Sequence, residues 1–278
     1  MELRSFYVSK TEHKKRTEVH LKKGKQLKDS FEAMTKDEWN NICEINVFAK
    51  YPHNLILASD PIFSTIDFGP VGTLQNAGCV VFVSAYIICH FIDRRLDLRA
   101  WAEKVIEKGY RSWCFEKFPE ISFTSKNVNL AEVKKKLSTI EPEVLKCKTL
   151  DELYTITGPV KGIGGSMYLI DNVIYQLTKG NVFDDMTTIL SKTRLSSVSE
   201  IIENLINGYM VPIRVNNRIY HDDYLRDGGH YIILIGIDDG NAYVLDSSIG
   251  FKKLAFKRLL ESAVADKNLI AAWNLSCI

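Results

Sequence analysis

Three residues in this chain have the types and order that could activate a sulfur nucleophile: Cys79, His230 and Asp246. A thiol attacks a carbonyl carbon only as thiolate. It therefore needs a field that stabilises the anion, an imidazole to take and return a proton, and a group that fixes the imidazole. Cys79 follows Gly78 and opens the run from Val80 to Ile92. At a helix start, unpaired amide groups and the positive end of the helix dipole lower a thiol pKa and can hold an oxyanion. Gly78 permits close backbone approach. His230 follows Gly228-Gly229 and begins the apolar stretch Tyr231–Ile237, while Asp246 ends the next short stretch, before Ser247-Ser248. Each residue also has a plainer use: a buried core cysteine, a structural histidine, an aspartate that forms a turn.

Spacing restricts how the last two can meet. Asp246 lies sixteen residues after His230, across one hairpin. Strand side chains alternate faces, so register decides whether the pair share one. A plain two-residue loop at Asp239-Gly240 would set Asp246 opposite Ile233, on the wrong face. An odd-length loop, or one bulge, would set it opposite Ile232 or Leu234. Opposite Ile232 it becomes a diagonal neighbour of His230, about 7–8 Å away between backbones and within side-chain reach. The expectation is a loop other than the simple two-residue turn.

The elements around these residues read as α+β. The run Val80–Ile92 is apolar almost all round and too long for a typical strand, which predicts a buried central helix. Further helices are expected over Thr35–Phe48, opened by Thr35-Lys36-Asp37-Glu38, and over Leu98–Lys108, Leu130–Leu137, Ile170–Leu177 and Val198–Asn207. The stretch from about 96 to 200 reads as mainly helical. Asp60-Pro61 to Gly69-Pro70 reads as extended chain and turn. Strands are expected over Tyr209–Val215, His230–Ile237, Ala242–Leu245 and, to close the sheet, Leu269–Cys277. The segment Gly158–Ser166 superficially resembles a phosphate loop. It lacks the Gly-Lys-Ser/Thr ending, and a flexible loop is expected instead.

Composition sets limits. The chain has 278 residues, 25% charged and 46% hydrophobic, with a net charge of +2. That is an ordinary globular balance, with nothing global to attract nucleic acid or an anionic membrane. A local basic run (Lys10, Lys14, Lys15, Arg16, Lys22, Lys23, Lys25, Lys28) has no interleaved aromatics and reads as a solvated face or mobile arm. The longest apolar run is too short to span a bilayer, and the first residues lack the parts of a signal peptide. Six scattered cysteines without a Cys-x-x-Cys pair give no zinc ribbon, redox motif or disulfide framework, so a cytoplasmic setting is the default. His221-Asp222-Asp223 could ligate a metal but reads better as an exposed charged loop bordering a cleft. His13, His20, His53 and His90 read as structural. Neither cofactor nor metal is called for.

The order Cys, His, Asp, with a helix-opening cysteine and a histidine beginning an antiparallel strand, resembles the papain-like cysteine peptidases. The nearest likeness is to the bacterial branch related to the double-glycine (bacteriocin-processing) leader peptidases. The residues that carry it are Asp60-Pro61, Gly72–Cys79, Gly208–Ile213, Gly229–Ile237 and Ala242–Asp246, so it covers roughly residues 60–90 and 200–250. The resemblance implies a papain-like catalytic domain over 60–278, with its central helix packed on an antiparallel sheet and a helical insertion over about 96–200. Residues 1–59 would form a partly helical extension. It implies that Cys79 attacks a peptide carbonyl, His230 moves the proton and Asp246 holds the ring tautomer. It also implies a glutamine oxyanion donor upstream of the cysteine. Gln75 is the best match and Asn76 the next, although Gln75 stands closer to Cys79 than the family usually places it, and Val80 stands where family members often have glycine.

The function expected is hydrolysis of a peptide or isopeptide bond in a peptide or protein substrate. Two other readings use the same residues: acyl transfer through the triad, and a decayed domain that binds peptides without cutting them.

Overall fold

The computed structural model describes residues 10–49, 58, 60–92, 96–179, 194–223, 228–265 and 272–273. In chain order the elements are α1 (Lys10–Glu32), α2 (Lys36–Cys43), β1 (Asn46–Phe48), a 3₁₀ turn (Pro61–Thr65), α3 (Leu74–Ala77), α4 (Cys79–Ile92) and α5 (Leu98–Glu107). There follow β2 (Arg111–Phe115), β3 (Phe118–Phe123), α6 (Leu130–Leu137), a second 3₁₀ turn (Pro142–Lys146), α7 (Leu150–Thr157), β4 (Val160–Gly165) and α8 (Tyr168–Lys179). Last come α9 (Val198–Ile206), β5 (Val211–Asn216), α10 (Asn217–His221), β6 (Gly229–Asp238), β7 (Asn241–Asp246), β8 (Gly250–Ala255) and α11 (Phe256–Val264). Both sheets are antiparallel and the class is α+β. No helix among the described residues is long and apolar enough to cross a membrane.

Helix starts follow the capping rule. Thr35, Asp97, Asn129, Thr149 and Ser197 each accept hydrogen bonds from first-turn amides of α2, α5, α6, α7 and α9. Thr35 and Glu38 form a capping box at the start expected for this helix. The helix they open is shorter than expected. It ends at Cys43, because Asn46–Phe48 leaves to pair with β6. The lysines of α1 do lie on a solvated face, with Lys14, Lys15, Lys22, Lys25 and Lys28 exposed, but the segment is a 23-residue helix that buries His20 and Leu27.

Strand β6 organises the larger sheet. β7 takes one of its edges, while β5 and β1 lie end to end along the other, against residues 229–234 and 236–238. Helix α4 packs on β6, with every residue from Val80 to Ile88 buried. Each large apolar side chain buried there is worth about 1.5–3 kcal/mol against exposure. Ser84, inside this helix, bonds the carbonyl of Val81 at 2.9 Å and accepts from Trp101 Nε1 at 2.9 Å, so the polar atom is satisfied.

Residues 96–200 are not simply helical. β3, β2 and β4 form a second, three-stranded sheet. Together with α6 and α7 it encloses its own core of Trp113, Phe115, Phe123, Val133, Leu137, Val144 and Leu153. Gly158–Ser166, expected as a flexible loop, supplies β4, paired along Arg111–Phe115. Its glycines carry no side-chain alternation, and alternation is what signals a strand. Of the expected closing strand only Ala272 and Trp273 lie within the described residues. Ala272 bridges to Ile213 of β5, and Trp273 bridges to Arg194.

Candidate active site

Cys79 stands where three elements converge. Gly78 ends the single turn α3, donating to the Leu74 carbonyl at 2.9 Å, and its own carbonyl accepts from Val81 and Phe82 as α4 begins. A Cβ on Gly78 would run into the Leu74 carbonyl and side chain, so only glycine allows this abrupt join. β4 crosses the start of α4 just as closely, since a Cβ on Gly165 would overlap the Val80 side chain. From the other side β6 brings His230 and Tyr231.

The hairpin settles the register question by a bulge, one of the two routes that the spacing left open. The turn is the simple two-residue one, with Asp238 opposite Asn241 and positive φ at Asp239 (49°) and Gly240 (69°), the pattern of a type I′ turn. The expectation of a different loop is therefore wrong. Parity is changed instead inside β6, where the ladder skips Ile235 between Leu234 and Gly236, a one-residue bulge. The Ile235 carbonyl accepts from Ala49 beyond β1, at 2.7 Å. With Leu245 opposite Ile233, the ladder carries Asp246 to the level of Ile232, the diagonal neighbour of His230.

His230 Nε2 and Asp246 Oδ1 are 2.8 Å apart. An ionised aspartate only accepts, so Nε2 carries the proton and Nδ1 is left for the sulfur. Asp246 Oδ1 also accepts from the Ser248 amide at 2.8 Å and from its hydroxyl at 2.7 Å. The aspartate thus forms a turn and holds the histidine at once. Oδ2 is buried, with no aligned hydrogen-bond partner among the described residues. The Tyr220 hydroxyl lies beside this carboxylate, short of full hydrogen-bond alignment, and is pushed to a higher pKa by burial and then by the adjacent charge.

These contacts set protonation. Burial works against a Cys79 thiolate, yet the thiol lies below its ordinary value. The His230 hydrogen bond and charge, together with the Tyr231 and Val80 amides, outweigh burial. Burial likewise opposes an imidazolium at His230, but the bonds to Asp246 and Cys79 push the ring up to about 10. Burial raises Asp246, and the His230 and Ser248 contacts overcome it to hold the carboxylate well below its usual range. The ring is therefore charged near neutral pH, and its charge favours the thiolate form of Cys79. By contrast, burial pushes the Cys89 and Cys114 thiols up.

Cys79 opens onto a cleft of about 230 Å³. One wall is the end of β4 and the link into α8, Ile163 to Tyr168; the other carries Arg214, Gly229 and Tyr231. Below it the buried Arg111 guanidinium donates to the carbonyls of Phe68 (2.9 Å) and Val71 (3.0 Å), close enough for its charge to interact with Cys79.

Of the four residues singled out from sequence, the structure brings Cys79, His230 and Asp246 together. Gln75 stands apart, exposed on α3 and not among the residues that line the cleft, and Asn76, also exposed, bonds back to the Thr73 amide at 2.9 Å. His221 also departs from expectation. It closes the short helix α10 rather than sitting in an exposed loop, and its ring lies 5.8 Å from that of His230. Asp222 is exposed, 3.3 Å from Arg258. Donor atoms of His221, His230 and Asp246 lie within 4.8 Å of one another, but a metal there would displace the His230–Asp246 bond. His20 is buried against Arg194. The side chains of His13, His53 and His90 fall outside the described residues.

Sequence reasoning missed the β4 wall, Arg111 and Arg214. A signal existed for Arg214, an isolated charge in the apolar strand Val211-Pro212-Ile213-Arg214-Val215. A comparison with known proteins found no family model, curated protein or solved structure that matches the chain.

Proposed function

We propose that this protein is a papain-like cysteine peptidase that hydrolyses a peptide or isopeptide bond through Cys79, His230 and Asp246. The observation that carries this reading is the Cys79–His230–Asp246 chain of contacts at the edge of an open cleft, with the thiol held below and the imidazole above its ordinary pKa. The Cys79 thiolate attacks the carbonyl carbon. The oxyanion that forms meets the start of α4, where the Cys79 amide and the helix dipole favour negative charge. His230 Nδ1–H protonates the departing amine, leaving an acyl group on sulfur. Neutral Nδ1 then takes a proton from water, the resulting hydroxide displaces the thiolate, and the acid is released. Asp246 holds Nε2–H throughout and so fixes which nitrogen faces sulfur.

A decayed, peptide-binding domain is the second reading, favoured by the position of Gln75 away from the cleft. Alkylation by iodoacetamide at pH 6 separates the two. An activated Cys79 is expected to react about 100-fold faster or more than Cys43, Cys89, Cys114, Cys147 and Cys277, and His230→Ala to remove the difference. Slow, uniform labelling of all six would overturn the enzyme reading. Product analysis with an added amine then distinguishes hydrolysis from acyl transfer.

A further inference from the structure

We infer that the buried Arg111 guanidinium is a fixed counter-charge to the Cys79 sulfur, a second cation that favours the thiolate whatever the proton on His230 is doing. That role rests on the nucleophile reading of Cys79 and adds a positioning residue to it. Arg111 opens β2 and is 2% exposed. Its contacts are neutral: the carbonyls of Phe68 and Val71 accept its bonds, and its guanidinium carbon lies 5.1 Å from the centre of the Phe68 ring. No carboxylate among the described residues pairs with it, in contrast to Arg194, which has Asp171. A buried cation is costly unless an anion answers it, and arginine does not escape by losing its proton.

The backbone shows which group can answer. Arg111 stands opposite Gly165 in the β2–β4 ladder, and Gly165 is the residue pressed on Val80, next to Cys79. A Cβ on Gly72 would lie 3.5 Å from both Arg111 Nη2 and the Ala77 side chain, two residues before Cys79. Ser112, which follows Arg111, lines the cleft with Cys79. A Cβ on Gly162 would strike Nη2, so the guanidinium is held in place. Burial pushes Arg111 down, and the charge that opposes this is that of Cys79. The other titratable or charged groups around the sulfur are His230, with Asp246 behind it, Tyr168, Tyr231 and Arg214. The charge on His230 comes and goes with its proton during the reaction, whereas a guanidinium keeps its own. Arg111 touches no substrate and acts only through the sulfur.

The test is the pH profile of Cys79 alkylation by iodoacetamide, in which the thiolate forms an S–C bond and iodide leaves. Arg111→Gln removes the charge and keeps a donor for the loop carbonyls. Its midpoint is expected to rise by about half a pH unit or more, and that of Arg111→Lys to rise by less. A merely structural role would lower unfolding stability in both variants and leave the midpoint in place. Should Arg111→Gln fail to fold, Asn76→Asp replaces it. Asn76 Oδ1 lies 3.1 Å from the same point above Gly72, so the exposed aspartate offers Arg111 a rival anion and still accepts from the Thr73 amide. This variant is expected to raise the midpoint more than Gln75→Glu, an equal charge on the same turn. An unmoved midpoint in Arg111→Gln, a rise as large in Arg111→Lys, or equal shifts in Asn76→Asp and Gln75→Glu overturns the role of Arg111 alone. A wild-type Cys79 that reacts no faster than Cys43 at any pH removes the nucleophile reading, and this role with it.

Discussion

At Cys79 and His230 two pKa shifts of opposite sign share one contact, which makes their effect on stability testable. His230 is held above its unfolded value of 6.5, so its contribution is complete below that pH and is lost as pH rises towards about 10. Cys79 is held below its unfolded value of 9.0, so its contribution grows as pH rises towards 9. From the folded Cys79 value up to 9 the two slopes offset each other, because a thiolate–imidazolium pair binds as many protons as the neutral pair. Asp246, also depressed, contributes above its ordinary value of 3.8, and that part is lost only in acid. Cys79→Ser removes the thiol slope together with the sulfur contacts that help raise His230, and leaves the smaller shift that Asp246 sustains. The stability of this variant, measured by urea unfolding, is expected to fall from pH 6.5 to 9 by no more than about 1.4 kcal/mol per pH unit. The wild-type protein is expected to stay nearly flat where its two slopes offset. Parallel slopes in the two proteins would contradict the ion pair.

At the scale of elements, the site depends on close crossings that only glycine allows. Gly165 lets β4 lie against Val80 at the mouth of α4. Gly165→Ala forces the strand outward and is expected to cost about 1–3 kcal/mol, the range for overpacking. Val80→Ala opens a cavity and is destabilising by itself. The double variant is expected to be more stable than the sum of the two losses predicts, with a coupling of about 0.5 kcal/mol or more in chemical denaturation. Strict additivity would mean that the crossing is not tight. The bulge at Ile235 is a device of the same scale. It leaves the turn untouched, yet it moves Asp246 to the face of His230.

Across the whole molecule, a buried polar cluster ties distant parts of the chain together. Arg194 bonds Asp171 of α8 at 2.6 Å and His20 of α1, Trp273 Nε1 donates to Asp171 at 2.7 Å, and the Arg194 guanidinium lies over the Trp273 ring. Arg194 and Asp171 side chains are each 1% exposed. Breaking such a pair strands a buried charge, so Arg194→Met is expected to cost about 3–5 kcal/mol in denaturant unfolding. Asp171→Asn with Arg194→Met, which removes both charges, is expected to recover part of that loss. If the single variant unfolds like wild type, the cluster adds nothing to stability.

The amino-acid sequence alone determined whatever depends on local chemistry. The length and all-round apolarity of Val80–Ile92 dictate a buried helix with Cys79 at its start, Thr35 to Glu38 open a helix, and Asp239-Gly240 marks a hairpin, though not the two-residue turn it forms. Tertiary structure decided what depends on parity and crossing. Both faces of β6 are buried, so Ile232–Ile237 shows no alternation that could have marked the skipped residue at Ile235. Glycines in β4 leave no pattern at all, and the partner strand β2 is what makes them a cleft wall. Arg214 is visible as a charge in an apolar strand, but the group it faces depends on Gly229, which lies on the neighbouring strand. Local propensity is written residue by residue. The meeting of Cys79 with His230 is a property of packed layers, which bring together segments 151 residues apart.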